Sequence, residues 1–443
     1  MPKQTVPYAE VEAPPNDALT RLARNCFLIG AFLMPMLAFR VGGHSTANEA
    51  TGLTISDAFF FFAFGFLLLI VHRRKLTPLT SWYLGSVLVV VGGIIASYVA
   101  DSVAGSLLVV ARMVFVLLIW LWTVRHLLPT EKLLHRGMTA YVLGCAVSGF
   151  VAVLQLSAHV LVSLGTLTNG RASGLAKAPD DTGSLLALGL TFAVGLALHP
   201  AVKRRWLYVS SIAVIATGLI ISGSVSGMLC GLIGAVVVIL RFGVKLKHVL
   251  AVGVLLIAVY GLGTAIQAGH GGSLNPIARF TGATSSGSQN NSVNDREGTW
   301  KNSWSGIVHN PWVGHGLDVE SSLVYEDPND YTWYPPHNFI LMNWYQGGIL
   351  FLIGDFVCIF TALLRTRRNG VMDATKNVLF AGMVAVFAFS MQAPTMYDRY
   401  FWFPFVLAMA LPPAAIYRSR RRQARELSLA APDLEASKLQ PST

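Results

Sequence analysis

Residues 58–75 read AFFFFAFGFLLLIVHRRK. The apolar run from Ala58 to Val71 breaks abruptly into His72, Arg73, Arg74 and Lys75. About 20 apolar residues in a helix cross a hydrocarbon core of roughly 30 Å, and Lys and Arg collect on the cytoplasmic flank. This stretch therefore reads as a membrane helix ending in the cytoplasm.

The same pattern extends in both directions along the chain. Apolar stretches fall at 22–41, 55–72, 81–99, 105–124, 138–163, 183–198, 206–222, 225–241, 248–267, 347–364, 376–391 and 400–417. With the N-terminus in the cytoplasm, every second connection is basic, and these segments hold 25 of the 33 Lys and Arg residues. The expectation is an all-α polytopic membrane protein of about twelve transmembrane helices, with both termini cytoplasmic. Residues 1–21 and 418–443 are its tails and 22–267 its first nine spans. A large, partly helical outer loop covers 268–346, and the last three spans cover 347–417.

Composition agrees. Of 443 residues, 53% are hydrophobic and 12% charged, half the charge of an ordinary soluble domain. Disorder is excluded by the same numbers. The net charge of +11 would suggest nucleic acid in a soluble protein, but here it is an insertion signal, and no nucleic-acid partner is expected. Cys26, Cys145, Cys230 and Cys358 lie scattered in apolar runs without C-x-x-C or zinc-type spacing, so neither disulfides nor a metal site is expected.

Eight bases break the charge rule: Arg40, Arg112, Arg171, Lys177, Arg279, Arg296, Lys301 and Arg399. Arg112 lies within a span, where such residues face a cavity or a partner; a structural pair with a buried acid or with carbonyls is the competing reading. Arg40 and Arg399 fit snorkelling at helix ends, and Asp398 is the nearest partner for Arg399. Arg171, Lys177 and Arg296 stand in the two long outer loops, among Gly, Ser and Asn. Guanidinium groups bind phosphate oxygens bidentately, so this set suits a phosphate at the membrane surface.

In the large loop, Asn294 to Glu297 resembles a capped helix start. Trp300, Trp304 and Ile307 follow at helical spacing, and Asn310-Pro311 stops the helix. Such a helix fits a membrane interface or packing on its own loop. His337 follows Pro335-Pro336 and precedes Asn338, a good N-cap, so it stands at a helix start. Imidazole, with an unperturbed pKa of about 6.5, accepts a proton at neutral pH. His315 lies between Gly314 and Gly316, where backbone could approach a ligand. Ser222 to Ser224 forms a tight turn between spans. Gly223, Gly227 and Gly231 recur every four residues, as in close helix packing. No phosphate-cradling loop and no Asp-x-Asp pair occurs.

These residues resemble bacterial O-antigen ligases and the related polymerases and protein O-oligosaccharyltransferases. Three pieces carry the resemblance. Arg171 is followed by Ser173-Gly174 and Pro179. Arg296 is followed by Trp300, Pro311, Gly314 and Gly316. His337-Asn338 leads to Gly347-Gly348. Many relatives carry Ser-Arg after the span matching 206–222; here the chain reads Ser222-Gly-Ser-Val225.

The resemblance implies a GT-C-like, metal-independent and cofactor-free glycosyltransferase of the Gram-negative inner membrane. It would move O-antigen from undecaprenyl pyrophosphate to a sugar hydroxyl of lipid A–core on the periplasmic face. Its partners would be that donor, that acceptor and membrane lipids. In this reading His337 is the base, and Arg171 and Arg296 clamp the pyrophosphate. Lys177 and Arg399 are secondary donor contacts, and Asn338, His315 and Arg112 are supporting residues. A polymerase or protein-glycosylating activity would share the donor. A polyprenyl-glycan transporter would instead line a path through both leaflets with charge.

Overall fold

The computed structural model describes residues 18–41, 53–70, 76–164, 167–168, 171–243, 261, 292–318, 324–325, 333–334, 336–370, 372–393, 395 and 397–411. Helices α1 to α4 are Ala18–Leu33, Ile55–Leu68, Thr80–Ser97 and Val103–Leu127. Helices α5 to α8 are Glu131–Ala158, Pro179–Leu198, Arg205–Ile221 and Val225–Phe242. The last four, α9 to α12, are Ser292–His309, Phe339–Arg365, Asp373–Ser390 and Arg399–Ala410.

Eleven of the twelve apolar stretches hold helices among the described residues, and 248–267 lies outside them except for Gly261. Among the described residues, six helices (α3, α4, α5, α6, α8 and α10) are long and apolar enough to cross a membrane by length and composition. α2 and α7 are apolar but shorter. The helix is shorter than the apolar stretch 22–41, because α1 ends at Leu33 just before Pro35 and the chain turns into an antiparallel pair. That pair joins Arg40–Val41 to Leu53–Thr54. Two more such pairs, Leu167–Thr168 with Arg171–Ala172 and Val324–Tyr325 with Trp333–Tyr334, qualify the all-α expectation.

Local chemistry sets the helix ends. Ser102, Thr130 and Ser224 cap α4, α5 and α8 through their hydroxyls. Pro179 opens α6, where a missing N–H costs nothing, and Asp181 accepts the Ala178 N–H at 3.2 Å. Within α4, Phe115–Trp120 is a π segment; its Leu117 carbonyl accepts the Trp82 indole N–H at 2.8 Å. α10 packs most extensively on α3, while α6 is buried among α5, α7, α8 and α11. An aromatic layer of Trp120, Phe403, Tyr141 and Phe192 binds α4, α5, α6 and α12 together.

The glycine series at 223, 227 and 231 divides. Gly227 meets the backbone of Gly183, so α8 and α6 touch there without side chains between them. Gly223 has φ +61° and turns the chain between α7 and α8.

Candidate active site

Two of the motifs meet on α10. Asn338 caps this helix by accepting the N–H groups of Ile340 (3.0 Å) and Leu341 (3.2 Å). Phe339 then anchors the first turn in the core, stacked on Phe401 at 5.3 Å. His337, half-buried, precedes this cap, and Pro336 beside it is buried. The imidazole is thus carried on a fixed helix start, as the Pro-His-Asn order predicts.

Nine residues later α10 breaks. Gly348 has φ +70° and ψ −177° inside the helix, a conformation closed to other residues. Into this break docks the segment 311–318. The Pro311 carbonyl accepts from Ile349 N–H (3.0 Å) and from the Trp344 indole (2.9 Å). His315 donates its backbone N–H to the Tyr345 carbonyl at 2.9 Å, and its ring stacks on Tyr345 at 4.2 Å. At Gly314 (φ +79°) an added Cβ would lie 2.4 Å from the Gln346 carbonyl oxygen. Gly314 therefore admits α10, while a Cβ at Gly316 would meet Ala100, so in this fold both glycines make room for neighbouring parts of the chain. His315 is a clamp on α10.

The same segment reaches α4, because Leu317 N–H donates to Ser106 Oγ at 3.0 Å. Tyr397 donates its hydroxyl to Gln346 Oε1. Burial first, then the Asp318 carboxylate, push the Tyr397 phenol well above its usual range, while Arg112 pulls it down. Arg112, half-buried in α4, and Asp318 thus each lie within electrostatic reach of Tyr397.

Arg171 is held by a different part of the fold. It lies in the pair Thr168↔Arg171, its Nε donates to the Ser222 carbonyl at 2.9 Å, and its Nη2 to Asp180 Oδ1 at 2.7 Å. The Ser222 carbonyl, in the turn between α7 and α8, thus helps to hold Arg171. The loop that follows is pinned from below. Gly174 exchanges two 2.8 Å bonds with the Gln155 amide, Leu175 N–H donates to Ser148 Oγ, and Ala38 N–H donates to the Leu175 carbonyl. Lys177 follows, half-buried, just before α6.

Arg296 belongs to α9. That helix begins at Ser292, so Asn294 to Glu297 lie inside it and are not its cap. It ends at His309, before Asn310-Pro311 as expected. Glu297 and Lys301 pair at 2.8 Å on its exposed side, and Lys301 holds the Glu297 carboxyl below its usual range. Ile307 is buried and Trp304 meets Trp344 edge-on, while Trp300 and Trp304 stay exposed.

Arg399 departs from the expectation. It forms an ion pair with Asp57 on α2. Both side chains are buried, and Asp57 also accepts the Thr54 N–H at 2.7 Å. A donor contact or snorkelling fits poorly, because a carboxylate already fills the guanidinium fork. Local reading missed it because 342 positions separate the partners. Asp57→Ala should destabilise the protein by about 3–5 kcal/mol, the usual cost of stranding one partner of a buried pair. Thermal unfolding in detergent checks this; an unchanged midpoint would show the pair to be dispensable.

All these contacts lie at one end of the bundle, where α2, α4, α6, α8, α10 and α12 begin and α3, α5 and α7 end. His337, His315, Arg112, Arg171 and Lys177 share that end. At the opposite end Arg125, Arg241 and Arg365 donate to the carbonyls of Thr77, Thr366 and Leu411. The four cysteines are reduced and buried. A cluster of Glu131, His135 and His199 at this opposite end was not foreseen; only the Glu131–His135 spacing of four was visible in sequence.

Residues 210–356 match the family model described as O-Antigen ligase. The match takes in Arg296, His315, His337 and Asn338, and stops short of Arg171, Lys177 and Arg399. No curated protein matches the chain.

Proposed function

We propose, from a match that supports membership of the O-antigen ligase superfamily, that this polytopic protein is the ligase itself. The family covers ligases and polymerases of glycan assembly. In the proposed reaction, O-antigen leaves undecaprenyl pyrophosphate and joins a sugar hydroxyl of lipid A–core at the His337 end of the bundle, on the periplasmic face of the inner membrane.

His337 takes the proton of the acceptor hydroxyl as its oxygen attacks the anomeric carbon. The bond from that carbon to the pyrophosphate oxygen breaks, and the anomeric centre inverts. The departing pyrophosphate gains charge, which Arg171 and Arg296 neutralise, with Lys177 behind them. Pyrophosphate is a good leaving group, so no acid is required. Arg399 has no donor role in this scheme, and His315 and Asn338 keep α10 in place.

One observation carries the reading. The imidazole of the family-matched segment is fixed on a capped helix start, at the same end of the bundle as the hairpin that presents Arg171.

The experiment is reconstitution with undecaprenyl-pyrophosphate glycan, with and without lipid A–core. The expected product is glycan-bearing lipid A–core, formed only when both substrates are present. Elongation of the lipid-linked glycan without lipid A–core would make the protein a polymerase. Transfer to a Ser-bearing protein would make it a protein glycosylating enzyme.

A further inference from the structure

The end of the bundle opposite His337 holds a second cluster of chemistry-bearing side chains. Glu131 and His135 stand one turn apart at the start of α5, so their side chains share a face. His199 follows the last residue of α6, and Thr375 lies in the first turn of α11. His199 Nε2 is 3.4 Å from Glu131 Oε1, and His135 Nε2 is 3.9 Å from the same oxygen. All three donor atoms lie within 4.8 Å of one another. The two imidazole rings meet edge-on, with centroids 4.2 Å apart and planes at 75°. Both Nε2 atoms also reach Thr375 Oγ1, at 2.8 and 3.1 Å.

We propose that Glu131, His135 and His199, with the Thr375 hydroxyl, form a binding site for a divalent transition cation of the zinc type. The donor set is two imidazole nitrogens and a carboxylate, which suits zinc. Zinc bonds of about 2.0–2.1 Å in a tetrahedral site put neighbouring donors roughly 3.3 Å apart. The edges to Glu131 are 3.4 and 3.9 Å and no pair of donors exceeds 4.8 Å, so side-chain shifts close the site. His199 is almost fully buried, while Glu131 is 21% and His135 13% exposed. An ion therefore has a route in from one side and a dry wall on the other.

Without an ion the cluster is self-consistent. The Thr375 hydroxyl donates to Glu131 and can accept from both imidazoles, which fills its one donor and two acceptor positions. Binding at Nε2 moves the His199 proton to Nδ1, which now accepts the Ala201 N–H at 3.2 Å. Coordination therefore gives up that one long hydrogen bond. In return, it ties the ends of α5, α6 and α11 through a single atom. The site lies far from the proposed transfer chemistry and does not depend on it.

The test uses the full chain, purified without a polyhistidine tag, stripped with chelator and reconstituted in nanodiscs. Cobalt(II) titrated into the wild type should give the visible absorption bands of a tetrahedral N/O site, and zinc should abolish them. Elemental analysis after desalting should find one retained ion per chain. His135→Ala and Glu131→Gln should weaken binding at least about 100-fold, more than loss of an outer-shell partner does. Zinc should also raise the unfolding temperature of the wild type and leave that of His135→Ala unchanged. Absence of cobalt bands and of retained zinc in the wild type overturns the proposal without appeal to any variant. So does equal binding by a His135→Ala/His199→Ala double variant that keeps the wild-type elution profile.

Discussion

Replacing His337 with alanine should lower glycan transfer about 10²–10⁴-fold, the usual contribution of a positioned base, and leave the fold intact. The second half of that expectation comes from what surrounds the imidazole. The helix cap belongs to Asn338 and the core anchor to Phe339. Neither depends on the residue at 337, so the unfolding temperature should stay close to wild type.

Asn338→Ala makes the contrasting case. It should cost about 1 kcal/mol of stability through the lost cap and impair transfer by loosening the residue before it. A purified assay with both substrates, read alongside thermal unfolding, separates the two variants. Full transfer by His337→Ala would remove the imidazole from the chemistry.

The second large effect is expected at Arg171. Arg171→Ala should reduce turnover of the lipid-pyrophosphate donor about 10²–10³-fold, comparable to loss of one preorganised donor aimed at developing charge. Arg171 also holds the Ser222 carbonyl and pairs with Asp180, so a loss of activity could come from a displaced hairpin. Asp180→Asn distinguishes these causes. It removes the exposed carboxylate charge, a pair worth at most about 1 kcal/mol, and keeps the guanidinium with its Ser222 bond. Its activity should stay near wild type. If Asp180→Asn fails as badly as Arg171→Ala, the guanidinium acts as an anchor for the loop. Single-turnover measurements on radiolabelled donor would show which outcome holds.

What could be read from the sequence was local. Apolar runs, the cap at Asn338, the stop at Asn310-Pro311 and the turn at Gly223 are each decided by a few adjacent residues, and the structure follows them. Pairings across the chain were not legible. Asp57 meets Arg399, and Thr375 meets His135 and His199, because helices far apart in order are neighbours in space. Periodicity shows that a helix buries a face without naming what the face meets. The glycines of the 311–318 segment show this well. Their need for bare backbone was visible, but not that Gly314 accommodates α10 and Gly316 accommodates Ala100. Helix length departs from hydropathy at α1, where a proline and a short strand pair end the helix before the apolar stretch does.

The break at Gly348 has a mechanical meaning. A helix behaves as a rod only while its ladder of hydrogen bonds is continuous, and here the ladder is interrupted between Asn338 and the long stretch packed on α3. The short lever that carries His337 is steered by Pro311, Gly314 and His315. Force arriving through the 311–318 segment would tilt the lever, while the longer half keeps its seal against α3.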